Sequence, residues 1–125
     1  MKLKLQGNSI RLRLKRSEVA RFAEVGRLEE AFEYGPGAGQ RLVYGIEAAE
    51  VDAAGVLVDP AGIFVVLPIA VARDWTGSER VAVSGEVVHA GGRRVSVLVE
   101  KEFRRMHGAT GDPDLYPNPL ELRGA

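Results

Sequence analysis

Charged side chains alternate with apolar ones along several stretches of the chain, which is the pattern of β-strands with one buried face and one open face. Because alternate residues of a strand point to the same side, each stretch carries its charges on a single face. The cationic residues suited to holding an anionic ligand are Lys2, Lys4, Arg11, Arg13, Arg41 and Arg94. Glu100 and Glu102 stand two residues apart on the last stretch and are the candidate metal ligands.

The chemistry that these residue types support is the binding of phosphate. Lys and Arg hold phosphate oxygens through charge-assisted hydrogen bonds, and paired carboxylates hold Mg²⁺ or Mn²⁺. The charged face would then bind a phosphorylated small molecule or another anion, with one of these metals as the only cofactor implied. The alternative is a wet sheet face on which opposite charges neutralise one another across strands. The protein would then be a non-catalytic interaction module whose Tyr-Pro-Asn-Pro tail docks an unknown protein partner.

The N-terminal stretch concentrates positive charge most strongly. It alternates on both sides of Gly7-Asn8, a pair typical of a two-residue hairpin turn. The resulting register places like charges opposite one another, Lys4 against Arg11 and Lys2 against Arg13. Such pairs destabilise a sheet, so this ladder needs carboxylates from a neighbouring strand or a bound anion. We therefore predict an anion site between the first hairpin and the strand that carries the two candidate glutamates.

No arrangement of a nucleophile with a base stands out, so we name no catalytic residue. If the protein were an enzyme, the residues above would fit a metal-dependent phosphohydrolase acting on a triphosphate. The 17 Lys and Arg residues are matched by 17 Asp and Glu residues, which argues against nucleic acid and membranes as partners. The chain has no cysteine, and its longest apolar run, residues 62–72, is too short to span a bilayer. We therefore expect a cytoplasmic protein.

The elements that carry these residues occur twice along the chain. Adding 53 to the apolar strand positions of the first half gives apolar positions in the second: Ile10 corresponds to Ile63, and Tyr44 to Val97. A helical stretch follows the second strand of each half. The sequence therefore predicts one domain over residues 1–125, with a duplicated strand-strand-helix-strand-strand unit at 1–49 and 54–103 and an irregular tail at 104–125.

Eight strands joined mostly by hairpins predict a largely antiparallel arrangement, and eight strands are enough to close a barrel. The expected fold is α+β: an eight-stranded, mainly antiparallel, strongly curved or closed sheet with two helices outside it. The charges would line the tunnel of this barrel or cover its outer surface. Val65 and Val97 lie in mid-strand on the apolar face, so we expect both to be fully buried.

Two resemblances add to these predictions. The opening MKLKLQGNSIRLRLKRSEV, the VEKEF segment and the YPNP ending resemble a family of short bacterial proteins of unknown function, over the whole chain. The duplicated order of strand, helix and three strands is similar to the triphosphate tunnel superfamily, which includes thiamine triphosphatase and a class of adenylate cyclase. That resemblance implies an eight-stranded tunnel that binds a triphosphate and a divalent metal. Its Glu-x-Glu-x-Lys hallmark resembles Glu100, Glu102 and Arg104, with Arg in place of Lys and on the last strand instead of the first.

Overall fold

Eight strands and two helices make up the computed structural model, which describes residues 1–104 and 112–118. In chain order they are β1 (Lys2–Gln6), β2 (Ser9–Leu14), α1 (Arg16–Val25), β3 (Arg27–Glu33), β4 (Arg41–Ala49), β5 (Gly55–Asp59), β6 (Gly62–Pro68), α2 (Ile69–Gly77), β7 (Ala82–Val88) and β8 (Arg94–Lys101). Gly7 has a φ of 51° in the β1–β2 turn, and Gly26 has a φ of 79° where α1 ends. Glycine adopts a positive φ without steric cost, so these two residues mark the β1–β2 turn and the end of α1. Residues 105–111 and 119–125 of the predicted tail lie outside the described residues.

The strands form two four-stranded sheets rather than one. Sheet A has the order β1-β2-β8-β7, and sheet B has the order β3-β4-β6-β5. In each sheet two antiparallel hairpins meet along a parallel central pair, β2 with β8 in sheet A and β4 with β6 in sheet B. Neither sheet is closed or curled. The predicted eight-stranded, mainly antiparallel, strongly curved or closed sheet is therefore wrong, and so is the predicted antiparallel barrel.

The physical cause of this correction is the way in which the two halves of the chain share the sheets. Each half contributes one hairpin to each sheet, because α1 connects sheet A to sheet B and α2 connects sheet B back to sheet A. The central strands of each sheet therefore come from different halves and run parallel. Local alternation predicts the hairpins, but it does not specify which distant strand lies beside β2 or β4.

The strand registers repeat with the offset of 53 found in the sequence. In sheet A the central parallel pair places Ile10 beside Val97, and in sheet B it places Ile63 beside Tyr44. Adding 53 to Ile10 gives Ile63, and subtracting 53 from Val97 gives Tyr44. The register therefore supports the duplication of one unit, which stays a prediction.

One apolar core lies between the two sheets and beneath the two helices. Its fully buried members include Trp75 of α2, whose indole N–H donates to the carbonyl of Val81 at 3.1 Å. The ring of Phe22 from α1 lies 6.4 Å from that of Trp75. Val65 and Val97 are 0% and 2% exposed, so the prediction that both are buried is confirmed. Because this core uses one face of each sheet, the other face of each sheet points away from the core.

The described part of the tail docks on the start of α1 and on the end of β8. Tyr116 forms a parallel bridge to the extension of β8. The carboxylate of Asp114 accepts a hydrogen bond from the backbone N–H of Ser17 at 2.8 Å and another from the Ser17 hydroxyl. Lys15 contacts Asp112 at 2.6 Å. Since a carboxylate at a helix N-terminus satisfies free N–H groups, the tail caps α1 from 97 residues away.

Candidate functional site

The outer face of sheet A brings four of the six predicted cationic residues together. The β1–β2 register is the predicted one, with Lys2 opposite Arg13 and Lys4 opposite Arg11. Their neighbours on β2, Leu12 and Leu14, are fully buried in the core, so the four cations point away from it. We name Lys2, Lys4, Arg11 and Arg13 the cationic cluster.

A single carboxylate from β8 holds the two arginines of the cationic cluster. Oε1 of Glu100 accepts a hydrogen bond from Nε of Arg11 at 2.7 Å and another from Nε of Arg13 at 2.8 Å. Burial alone would raise the pKa of Glu100, but the hydrogen bonds and positive charges of the two guanidinium groups outweigh it and hold that pKa below its usual range. The terminal Nη groups of both arginines have no hydrogen-bond partner among the described residues. One negative charge is thus shared between two positive charges.

The second carboxylate serves one lysine. Nζ of Lys2 contacts Oε1 of Glu102, whose side chain is 8% exposed. The other oxygen of Glu102 is buried and lacks a hydrogen-bond partner within the described part of the chain. Lys4 is exposed and forms no ion pair with any described residue. Two carboxylates therefore face four cations, and the ladder of like charges is only partly neutralised.

A shallow depression of about 630 Å³ adjoins the cationic cluster on the same face. Lys4 and Arg11 line it together with the polar side chains of Gln6, Ser9, Ser84 and Ser96, and the carboxylate of Glu86 lines its β7 side, where it contacts Arg94. These side chains add amide and hydroxyl hydrogen-bond donors to the positive charges. The arrangement can hold an anion by charge and hydrogen bonding while the anion remains partly hydrated.

Sequence reasoning missed these polar side chains. Gln6 and Ser9 share strand parity with the lysines and arginines of the first hairpin, so the signal for them was present. Ser84 and Ser96 join the site only because β8 pairs in parallel with β2, which places Ser96 beside Ser9. No local pattern indicates that pairing, and these two residues could not have been found from the sequence.

The other two predicted cations lie away from the cationic cluster. Arg94 is on the outer face of sheet A, at the start of β8, where it contacts Glu86 at 3.2 Å. Arg41 is on the outer face of sheet B, opposite Glu33 of β3. Arg41 therefore belongs to a different sheet from the cationic cluster, and its role in binding an anion stays a prediction. The structure unites four of the six residues and separates Arg41 from them.

The two predicted metal ligands are both engaged by cations. Glu100 contacts two arginines, and Glu102 contacts Lys2. Within residues 1–104 and 112–118, no group of three or more His, Asp or Glu side chains is placed to hold a metal ion. A divalent metal would have to displace a cation from each carboxylate. The role of Glu100 and Glu102 as metal ligands stays a prediction.

Comparison with known proteins gives one match. A family of unknown function, DUF7009, matches residues 1–120. The chain belongs to this family. No curated protein and no solved structure is significantly similar to it. Membership of DUF7009 confirms the predicted resemblance to an uncharacterised family and assigns no activity.

The resemblance of this DUF7009 chain to the triphosphate tunnel superfamily is not supported. Two open four-stranded sheets stand where a closed tunnel was expected, and no solved structure of that fold matches. The candidate site is accordingly a sheet face rather than a tunnel lining. Among the described residues of the DUF7009 chain, no helix has the length and apolar character needed to cross a membrane.

Proposed function

We propose that the cationic cluster binds a phosphorylated small molecule, or another small anion, on the outer face of sheet A. The observation that carries this proposal is the incomplete neutralisation of the cluster. Glu100 is shared between Arg11 and Arg13, and Lys4 has no carboxylate partner among the described residues. Like charges directly opposite one another destabilise a sheet. A bound anion would supply the negative charge that the neighbouring strand does not.

Glu100 also positions the two arginines for such a ligand. Both Nε atoms lie within 2.8 Å of the same carboxylate oxygen, so the two guanidinium groups are held side by side. Their Nη groups present N–H donors in a fixed planar geometry that matches phosphate oxygens. Lys4, directly across from Arg11, adds a third cation on a flexible side chain. One phosphate group could accept hydrogen bonds from all three residues.

The open surface limits the affinity of this site. The side chains of Arg11 and Arg13 are 38% and 37% exposed, so water and salt screen their charges. Exposed ion pairs contribute about 0–1 kcal/mol each. Three such contacts contribute about 3 kcal/mol at most, so phosphate should bind no more tightly than the millimolar range, which corresponds to about 4 kcal/mol. Pyrophosphate and triphosphate carry more charge and should bind more tightly. The proposal concerns binding and includes no chemical step.

The test is a thermal melt with phosphate, pyrophosphate and triphosphate, each with and without Mg²⁺, at constant ionic strength. A ligand that binds only the native state stabilises it by about 2.7 kcal/mol at one hundred times its Kd. The Arg11→Ala/Arg13→Ala variant should lose the rise in Tm, whereas Arg41→Ala, on the opposite sheet, should keep it. An unchanged wild-type Tm, or an equal rise in the double variant, would remove the proposal. A further rise with Mg²⁺ would support Glu100 and Glu102 as metal ligands.

A further inference from the structure

The outer faces of the two sheets carry opposite net charges. The charged residues at the outward-facing strand positions of sheet A are Lys2, Lys4, Arg11, Arg13, Glu86, Arg94 and Glu100, and we count with them Glu102, which follows β8 and contacts Lys2. Five cations against three carboxylates leave a net charge of +2. Those on the outer face of sheet B are Arg27, Glu29, Glu33, Arg41, Glu47 and Asp59. Two cations against four carboxylates leave a net charge of −2. The chain as a whole is neutral, but its two outer faces carry net charges of opposite sign.

The outer face of sheet B is also ordered and partly apolar. Phe64 lies on this face and is nevertheless fully buried, because the guanidinium group of Arg27 lies 4.3 Å from its ring centre. Glu29 and Glu47 hold Arg27 there, at 3.2 Å and 3.4 Å. Leu57, beside Phe64 on β5, is 46% exposed. The result is an acidic surface with an exposed apolar side chain on its β5 edge.

We propose that the outer face of sheet A of one copy of the chain docks on the outer face of sheet B of a second copy. Charge complementarity favours this occupant, because each face supplies the net charge that the other lacks. Each face also carries a leucine that can be covered, Leu98 on the central strand β8 of sheet A and Leu57 on the edge strand β5 of sheet B. This inference goes beyond the proposed function, because it uses sheet B and requires no small molecule.

The geometry of this contact determines how the association grows. The two surfaces differ, so a dimer still presents one free face of each sign and can add further copies. Strands of five to nine residues spaced about 4.8 Å apart give each face a footprint on the order of 400 Å². A standard interface buries about 800 Å² on each partner. We therefore expect weak, reversible association that strengthens at low salt.

Sedimentation velocity of the full chain tests this proposal. At about 10 mM salt the screening length is about 30 Å, and the weight-average sedimentation coefficient should rise with protein concentration beyond that of a dimer. At about 1 M salt, where the screening length is about 3 Å, it should return to the monomer value. Two variants each reverse one charge on one outer face. Lys4→Glu and Glu33→Lys alter exposed side chains that form no ion pair with any described residue, so both should fold.

Each variant reduces one face to zero net charge, and each alone should remain monomeric at low salt. An equimolar mixture should form dimers that do not extend. Lys4→Glu keeps the acidic face of sheet B, Glu33→Lys keeps the cationic face of sheet A, and the other two faces are neutral. Arg21→Glu and Glu24→Lys, on the exposed surface of α1, match these net charges and leave both outer faces unchanged. These controls should self-associate like the wild type.

Three results would overturn the proposal: a wild type that stays monomeric at low salt, a mixture that stays monomeric, or controls that lose association as fully as the face variants. The design also separates this inference from the anion site. Glu33→Lys changes sheet B alone, so pyrophosphate should raise its Tm as in the wild type although self-association is lost. Self-association of the wild type without any pyrophosphate shift would leave the docking proposal standing and remove the proposed function.

Discussion

Replacing Glu100 with Gln should change fold stability and ligand affinity in opposite directions. Gln has nearly the same size but no charge, so the hydrogen bonds to Nε of Arg11 and Arg13, at 2.7 Å and 2.8 Å, lose their ionic character. Because more than a third of each arginine side chain is exposed, we expect a loss of about 1–2 kcal/mol of unfolding free energy. For a chain of 125 residues this lowers Tm by about 4–8 °C.

The same substitution should strengthen anion binding. It removes one negative charge, which raises the net charge of the outer face of sheet A from +2 to +3. For an anion about 7 Å from the carboxylate, at an effective dielectric constant of about 40–80, one unit charge contributes roughly 0.6–1.2 kcal/mol. A singly charged anion should therefore bind about three- to eight-fold more tightly, and pyrophosphate, which carries more negative charge, should gain at least as much. Isothermal titration at constant ionic strength measures this change, and melts without ligand measure the loss of stability.

The pH dependence of stability provides a second measurement on Glu100→Gln. The pKa of Glu100 is lower in the folded protein than in the unfolded chain, where it has its ordinary value. Its stabilising contribution is therefore present above the unfolded pKa and disappears as pH falls through the folded pKa. The Tm difference between wild type and variant should shrink below about pH 4.

Glu86→Gln, which contacts only the exposed Arg94 among the described residues, is the matched control and should change Tm little. A Tm difference that persists unchanged at pH 3, or weaker pyrophosphate binding by Glu100→Gln, would refute the reasoning.

Further predictions concern packing and the tail. Val65→Ala and Val97→Ala should each lower the unfolding free energy by about 1–3 kcal/mol, measured by denaturant titration, and an unchanged midpoint in both would mean that the core is misassigned. Gly45→Ala would place a methyl group 2.2 Å from a backbone carbonyl oxygen of β3, so we expect a loss of about 3 kcal/mol or more and little soluble expression. Gly77→Ala, at the end of α2 with nothing within 4 Å of the new methyl group, should instead raise Tm by a few degrees, about 0.5–1 kcal/mol; equal effects at the two glycines would contradict the packing of β3 on β4. Asp114→Ala should lower Tm and speed proteolysis at residues 112–118, because Ser17 loses both of its hydrogen bonds to the carboxylate, although Glu18 still accepts the backbone N–H of Lys15; unchanged proteolysis would show that these bonds do not hold this segment.

The hairpins were predictable from the sequence because their determinants are local. Gly7-Asn8 fixes the turn, and alternation on either side then fixes the facing pairs, so the register of Lys4 with Arg11 follows directly. The burial of Val65 and Val97 follows from the same alternation. The same local pattern does not indicate which strand lies beside each hairpin. The pairing that brings Ser96 to Ser9, and with it Glu100 to the arginines, depends on contacts across most of the chain.

The candidate site was therefore predicted in part. Strand parity assigned Arg41 to the charged set, but parity cannot distinguish two separate sheets, and Arg41 lies on sheet B whereas the cationic cluster lies on sheet A. The contact of Asp114 with the start of α1 was not predicted for a similar reason. A helix start is recognised from its own residues, whereas this hydrogen-bond acceptor comes from the tail. Both differences arise because tertiary contacts, and not local propensity, decide which outward-facing charges meet.

The pairing of β2 with β8 also affects the order in which the protein is built. Arg13 and Glu100 are 87 residues apart, so during synthesis the residues of β1 and β2 are present long before the strand that pairs with β2. Pairings of such long range are slow to form, and an uncovered strand edge invites pairing with another chain. The four cations of the cationic cluster repel the same hairpin on neighbouring nascent chains. The like charges that destabilise the finished sheet should therefore also disfavour pairing between unfinished chains until β8 is made with Glu100.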